Sequence, residues 1–156
     1  GDHRDLHLSL RRQRQMCIRD RFRLEPIPMG YIIVGEGGTV GVIGRAAPIP
    51  YDKPELAAAH ALAAQYLGMR FIYLEAGSGA KLPVPPLMIS TVRKVVEVPL
   101  IVGGGIRSAD HAERAVSAGA DVIVTGNVVE GTDVEGRIRE IVSGIEAGVK
   151  AKNDML

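Results

Sequence analysis

One cysteine, no tryptophan and two phenylalanines in 156 residues leave little from which to build a disulfide framework, a thiolate metal site or an aromatic core. Cys17 alone cannot form a bridge within one chain, which fits a reducing compartment. Net charge is nearly absent too. Lys and Arg number 19 against 18 Asp and Glu, and the formal +1 gives no electrostatic basis for binding nucleic acid or anionic membranes. No apolar run nears the roughly 18 residues of a membrane-spanning helix, and no segment has the pattern of a signal peptide. A cytoplasmic protein is the expectation. The chain also lacks the G-x-G-x-x-G and G-x-x-x-x-G-K-[ST] strings, which argues against a dinucleotide fingerprint or a nucleotide P-loop. A metal site made wholly from these residues is not expected.

What is abundant is aliphatic side chain and glycine, 19 residues of the latter. A core of Val, Ile, Leu and Ala suits an α/β protein whose parallel strands are covered on both faces. The length allows one domain. Residues 1–21 read differently from the rest, with Arg11, Arg12, Arg14, Arg19 and Arg21 in a polar segment without helical or strand periodicity. Such a segment is either a basic arm for nucleic acid or phospholipid or a tail foreign to the fold. The second reading is preferred. Gly1–Arg21 resembles a translated adapter or assembly artefact on a truncated gene, and residues 22–156 form the domain.

From Arg23 onward the pattern is regular. Gly30–Val34 is a short apolar run followed by Gly35, Gly37 and Gly38. Asp52, Pro54 and Glu55 predict a helix start, with Asp52 as cap and Glu55 completing a capping box. Leu56, Ala59, Ala63, Tyr66 and Leu67 then keep helical spacing up to Gly68. Arg70–Leu74 reads as a strand, Pro86–Val96 as a helix and Pro99–Val102 as a strand. Ser108 caps a helix bearing Ala112, Ala115 and Val116, which Gly119 closes. Asp121–Thr125 is the fourth strand. Thr132 and Glu135 start the last helix, with Ile138, Ile141, Val142, Ile145 and Val149 along one face. Four alternating βα units predict a parallel sheet with right-handed crossovers. A full (β/α)8 TIM barrel takes about 250 residues, so four units make half of one; a small open doubly wound sheet is the alternative. Glycine turns at successive strand ends favour the barrel, because a doubly wound fold places its fingerprint after the first strand.

Three of those strand ends converge in character. Tyr73-Leu74-Glu75-Ala76-Gly77-Ser78-Gly79 ends one strand in a carboxylate and a glycine-rich turn, Gly103-Gly104-Gly105 ends the next, and Gly126-Asn127 the last. Bare backbone N–H groups at the carboxyl edge of a parallel sheet suit a phosphate, and Gly104-Gly105 with Gly126-Asn127 match the barrel site built after the last two strands. Glu75 can accept a hydrogen bond from a substrate hydroxyl and, if burial raises its pKa, remove its proton; a structural acid bridging to a neighbouring strand is the plainer alternative. Tyr73 lies one strand period earlier on the same face, within reach of a phosphate or else in the interior packing. Ser78 is a candidate phosphate or hydroxyl donor and a poor nucleophile. His60 and His111 read as satisfied helix residues, and Asp52, Asp110, Asp121 and Asp133 as caps or turn residues.

At Tyr73–Gly79, Gly103–Ile106 and Gly126-Asn127 the sequence is similar to the geranylgeranylglyceryl phosphate synthase family, with its bacterial heptaprenylglyceryl relatives. Gly37–Gly41 and Pro48-Ile49-Pro50 resemble it also, and the resemblance runs from about Arg23 to Ala151. It implies the C-terminal half of a TIM-barrel prenyltransferase of ether-lipid synthesis, joining sn-glycerol 1-phosphate to a long prenyl diphosphate with Mg2+. It further implies that Tyr73, Leu74, Glu75, Ala76, Gly77, Ser78 and Gly79 hold the glycerol phosphate. Gly104, Gly105, Gly126 and Asn127 would bind its phosphate, and Glu75 would deprotonate the attacking hydroxyl. The family's metal ligands lie near its first strand, which nothing in residues 1–21 resembles, so the isolated chain is not expected to transfer a prenyl group. A homo-oligomer and transient membrane contact are further expectations, and nucleic acid is not an expected partner. Two alternatives remain: another phosphate-binding barrel enzyme, or a non-catalytic half-barrel that binds a phosphorylated ligand or self-associates.

Overall fold

The computed structural model describes residues 21–130 and 133–154. The expectations about the amino-terminal segment and about Thr132 therefore fall, Arg21 apart, outside the described residues. In chain order the elements are β1 (Met29–Ile33), α1 (Gly38–Gly44), α2 (Pro54–Tyr66), β2 (Phe71–Glu75), α3 (Pro86–Arg93), β3 (Leu100–Gly103), α4 (Ala109–Ser117), β4 (Val122–Val124), a 3-10 turn (Asn127–Glu130) and α5 (Val134–Asn153). The four strands pair in parallel in the order β1-β2-β3-β4. Sequential strands that lie side by side curl the sheet one way, as in a barrel wall.

Strand alternation divides the side chains between two faces. Ile72, Leu74, Leu100 and Val102 point toward the helices and are fully buried with Met88, Ile89 and Val92 of α3. The opposite face is arranged in registered layers: Tyr31, Tyr73, Ile101 and Val122 form one, and Ile33, Glu75, Gly103 and Val124 the next. The second layer lies at the carboxyl edge, so the loops after the strands form a rim around it.

Local chemistry fixes the helices, and several departures from expectation have plain causes. α2 starts at Pro54 behind Lys53, with no side-chain cap; Asp52 instead pairs with the Lys53 ammonium at 3.7 Å. The residues whose spacing marked the helix lie outward, with Tyr66 and Leu67 each 78% exposed. Ala57, Ala58 and Ala61 face the sheet instead. Small residues win there because the helix rides close over β1: a Cβ on Gly30 would stand 2.8 Å from that of Ala64. α5 behaves alike. Its contact line on α4 runs through Ile141, Gly144 and Gly148, because a Cβ at Gly144 would meet the Ala109 carbonyl oxygen at 2.2 Å. Val142 and Val149 are left exposed, and Asp133 caps the helix by accepting from the Gly136 N–H. α3 stops at Arg93 rather than Val96. α4 is as expected, capped by Ser108 with Ala112, Ala115 and Val116 buried. α1 was not expected at all, since GTVGVIG has the composition of a loop.

At the amino end of the sheet, Asp121 is more than a turn residue. Its Oδ2 accepts from Arg93 and from the Leu100 N–H, each at 2.9 Å, joining α3, β3 and the start of β4. Among the described residues, no helix is long and apolar enough to cross a membrane.

Candidate functional site: an anion pocket at the carboxyl edge

Glu75 is the one charged side chain among the described residues that is buried. An ionised carboxylate in such a place must be hydrogen-bonded, and both of its oxygens are. Oε1 accepts from the Gly77 N–H at 2.7 Å and Oε2 from the Tyr31 hydroxyl at 3.1 Å. The neighbouring strand thus supplies a phenol rather than a cation. Tyr31 in turn meets the Tyr73 ring edge to face, with centroids 4.7 Å apart. Burial, then the charge and hydrogen bond of Glu75, push the Tyr31 hydroxyl up to about 12. Burial and the hydrogen bond to Glu75 push Tyr73 far above the ordinary tyrosine value. Both phenols are therefore donors at any physiological pH.

Tyr73 and Glu75 of this cluster line a pocket of about 200 Å³ between the loops after β2, β3 and β4. Tyr73, Glu75, Ser78, Gly104, Gly105, Gly126 and Asn127 all line it, joined by Ile106, Arg107, Val124 and Thr125. The N–H groups of Ser78, Gly105 and Gly126 bond to no backbone carbonyl among the described residues. Donors gathered without acceptors in a concave site suit an anion. The remaining sequence candidates are placed differently. Leu74 and Ala76 are fully buried with their side chains in the core, so only their backbone could serve a ligand. Gly77 spends its N–H on Glu75. Gly79 offers its carbonyl to Arg107 at 3.1 Å.

The glycines differ in why they are glycine. A Cβ on Gly103 would meet the Tyr73 hydroxyl at 2.2 Å, so that position makes room for the phenol. Gly104 has φ +83, and a Cβ there would lie 2.6 Å from the Gly77 nitrogen and 2.8 Å from Glu75 Oε1. Gly126 is the contrary case: a Cβ would meet nothing within 4 Å, and its φ is not left-handed. Packing does not require glycine there, which leaves access to the pocket as its use.

Tyr31, which holds Glu75 from the neighbouring strand, and Arg107, which lines the pocket, were not singled out from the sequence. Tyr31 sits in an apolar run, and only the register Tyr31↔Tyr73 places it over Glu75. Arg107 follows the glycine triplet, and its position there was the one available signal. His60 and His111 are satisfied locally, bonding the Leu56 carbonyl and the Arg107 N–H. Among the described residues, no group of three or more His, Cys, Asp or Glu is arranged to hold a metal. Glu75 is the pocket's only acid, and a single carboxylate does not make a magnesium site, so the residues present do not fit one.

A sequence model described as the PcrB family matches residues 12–145. The chain is similar to the geranylgeranylglyceryl phosphate synthase of Thermococcus gammatolerans, with 59% identity over 130 residues that make 83% of this chain and 52% of that protein. The synthase of the same name from Methanothermobacter thermautotrophicus is 57% identical over 123 residues, 78% of this chain and 50% of that protein. In solved structures, the Thermoplasma acidophilum (S)-3-O-geranylgeranylglyceryl phosphate synthase in complex with substrate sn-glycerol-1-phosphate superposes with a TM-score of 0.76 at 43% identity, over 78% of this chain and 50% of that one. The wild-type synthase from Thermoplasma volcanium superposes with a TM-score of 0.77 at 42% identity, over 85% and 55%. The chain spans about half the length of the curated relatives it matches. Its four βα units are half of a TIM barrel, matching half of the solved synthase.

Proposed function

This chain belongs to the PcrB family, and from that premise we propose that its protein joins sn-glycerol 1-phosphate to geranylgeranyl diphosphate, releasing diphosphate. The observation that carries the proposal is the pocket itself. Ser78, Gly105 and Gly126, whose N–H groups bond to no backbone carbonyl among the described residues, line the same space as a buried carboxylate held by two donors. The phosphate takes the glycine-lined side, near Gly104, Gly105, Gly126 and Asn127. The glycerol hydroxyls then reach back toward Glu75.

The chemistry is substitution at an allylic carbon. The hydroxyl oxygen of glycerol forms a bond to carbon 1 of the prenyl chain, the bond from that carbon to diphosphate breaks, and its electron pair leaves with the diphosphate. Glu75 takes the hydroxyl proton. Tyr31 and the Gly77 N–H hold the carboxylate in one orientation, so that a fixed oxygen meets the substrate and little reorganisation is needed during reaction. Tyr73 fills the space above Gly103 and closes the pocket floor. A cytoplasmic setting, transient contact with a membrane that carries the prenyl substrate, and association of copies belong to the same proposal.

Calorimetry on the 156-residue chain tests it. Saturable binding of sn-glycerol 1-phosphate, tighter than that of the 3-phosphate enantiomer or inorganic phosphate, is the expected result. Equal binding of all three would leave only a general anion site, and no binding would contradict the reading. The chain alone is expected to bind without turnover when given magnesium and prenyl diphosphate; product formation would contradict that part.

A further inference from the structure

Two negative groups share the proposed pocket, a phosphate and the Glu75 carboxylate. Partial charges on N–H groups soften that repulsion, and one full positive charge lines the same space: Arg107. Its guanidinium does not pair with a carboxylate among the described residues. Instead one nitrogen, NH2, donates to the carbonyl oxygens of Gly79 at 3.1 Å and Ala80 at 2.9 Å. Guanidinium has five N–H donors in a planar fork, so these bonds leave further donors and the whole charge at the pocket rim.

The contact joins two loops that come from different strands. The loop after β2 is fixed at its near end, where the Ala76 N–H bonds the Gly103 carbonyl and the Gly77 N–H bonds Glu75. A turn from the Ala80 N–H to the Gly77 carbonyl at 3.1 Å follows. Arg107 ties the far end of that turn to the loop after β3. Ser78, which lines the pocket, is held from both sides. Thr125 completes the set by bonding the Ile106 carbonyl at 2.9 Å, which fixes the β4 end to the same β3 loop.

We infer that Arg107 is a positioning residue for the phosphate: it holds the β2 and β3 loops at the spacing the anion needs and offsets the charge of Glu75 beside it. The identity of the anion rests on the glycerol phosphate reading above; the loop tie does not. Two variants of the 156-residue chain, Arg107→Met and Arg107→Lys, separate the parts. Amide hydrogen exchange at Gly77 and Ala80 is followed without ligand, and sn-glycerol 1-phosphate is titrated by calorimetry.

The Met variant should exchange about tenfold faster at Ala80 and bind roughly 10- to 100-fold more weakly, the loss expected for removing charge-assisted hydrogen bonds. The Lys variant should recover part of the affinity but not the protection, since an ammonium keeps the charge without the fork. If the Met variant fails to fold, the Lys variant carries both readouts. Unchanged exchange at Ala80 in the variants overturns the loop tie whatever the ligand. Equal affinity of the parent and Met chains overturns the charge role while leaving the glycerol phosphate reading in place. A parent chain that ignores glycerol phosphate, with the Met variant still loosened at Ala80, removes that reading and sustains the tie.

Discussion

At the scale of the residue, the site depends on how a carboxylate is kept below the surface without a cation touching it. Tyr31 and the Gly77 N–H satisfy Glu75, and the arrangement shows in the tyrosines. Raised folded values mean that both phenols favour the folded state fully below the unfolded tyrosine value near pH 10, and lose that contribution as pH rises through about 12 for Tyr31. An ultraviolet titration of phenolate should therefore show Tyr31 and Tyr73 ionising late, with Tyr51 also raised by burial, and alkaline unfolding following them. Glu75→Gln removes the carboxylate charge and should bring the Tyr31 midpoint down from about 12, though burial keeps it above the free value. No change in that variant would contradict the hydrogen bond. The sequence revealed Glu75, Tyr73 and the glycines because each ends a strand in a characteristic string. It concealed Tyr31, whose role exists only once β1 and β2 are in register. It also merged two kinds of glycine: Gly103 and Gly104 serve packing, whereas Gly126 has open space around a Cβ.

At the scale of the element, the strands were legible to within a residue, the face of α5 in large part, and that of α2 was not. Periodicity located α2 through Leu56, Ala63 and Tyr66, yet Ala57, Ala58 and Ala61 are what meet the sheet. The spacing that marks a helix does not say which of two stripes wins when one is bulky and the other small. Close approach over Gly30 decides it, as Gly144 and Gly148 decide the seam of α5. This makes a test by denaturant unfolding. Ala61→Leu forces side-chain volume into the α2–β1 contact and should cost about 1–3 kcal/mol. Leu67→Gln, on the outward stripe, should stay within roughly 0.5 kcal/mol. The reverse order would contradict this assignment of faces. α1 escaped notice for a related reason: glycine disfavours helix by about 1 kcal/mol per residue, and this segment forms one between left-handed Gly37 and Arg45.

At the scale of the whole molecule, four strands leave two sheet edges, that of β1 met by the bridge Val34↔Ile49, and an inner face on which Ile33, Tyr73 and Glu75 are buried while other side chains stay open. Met29, Tyr31, Val122 and Val124 on that face are 40 to 43% exposed. Unpaired strand edges beside exposed apolar side chains favour association, so sedimentation velocity should show species heavier than a monomer growing with concentration. A lone monomer at every concentration would contradict this. The alternating βα pattern made the parallel order legible in advance, because consecutive strands joined by single helices have few other arrangements. The measurement that bears most directly on the account is a titration of the 15N-glycine-labelled chain with sn-glycerol 1-phosphate, followed by nuclear magnetic resonance. The account predicts shifts at Gly104, Gly105 and Gly126, with Gly44 and Gly148 unmoved. Still spectra, or shifts confined to glycines away from the carboxyl edge, would contradict it.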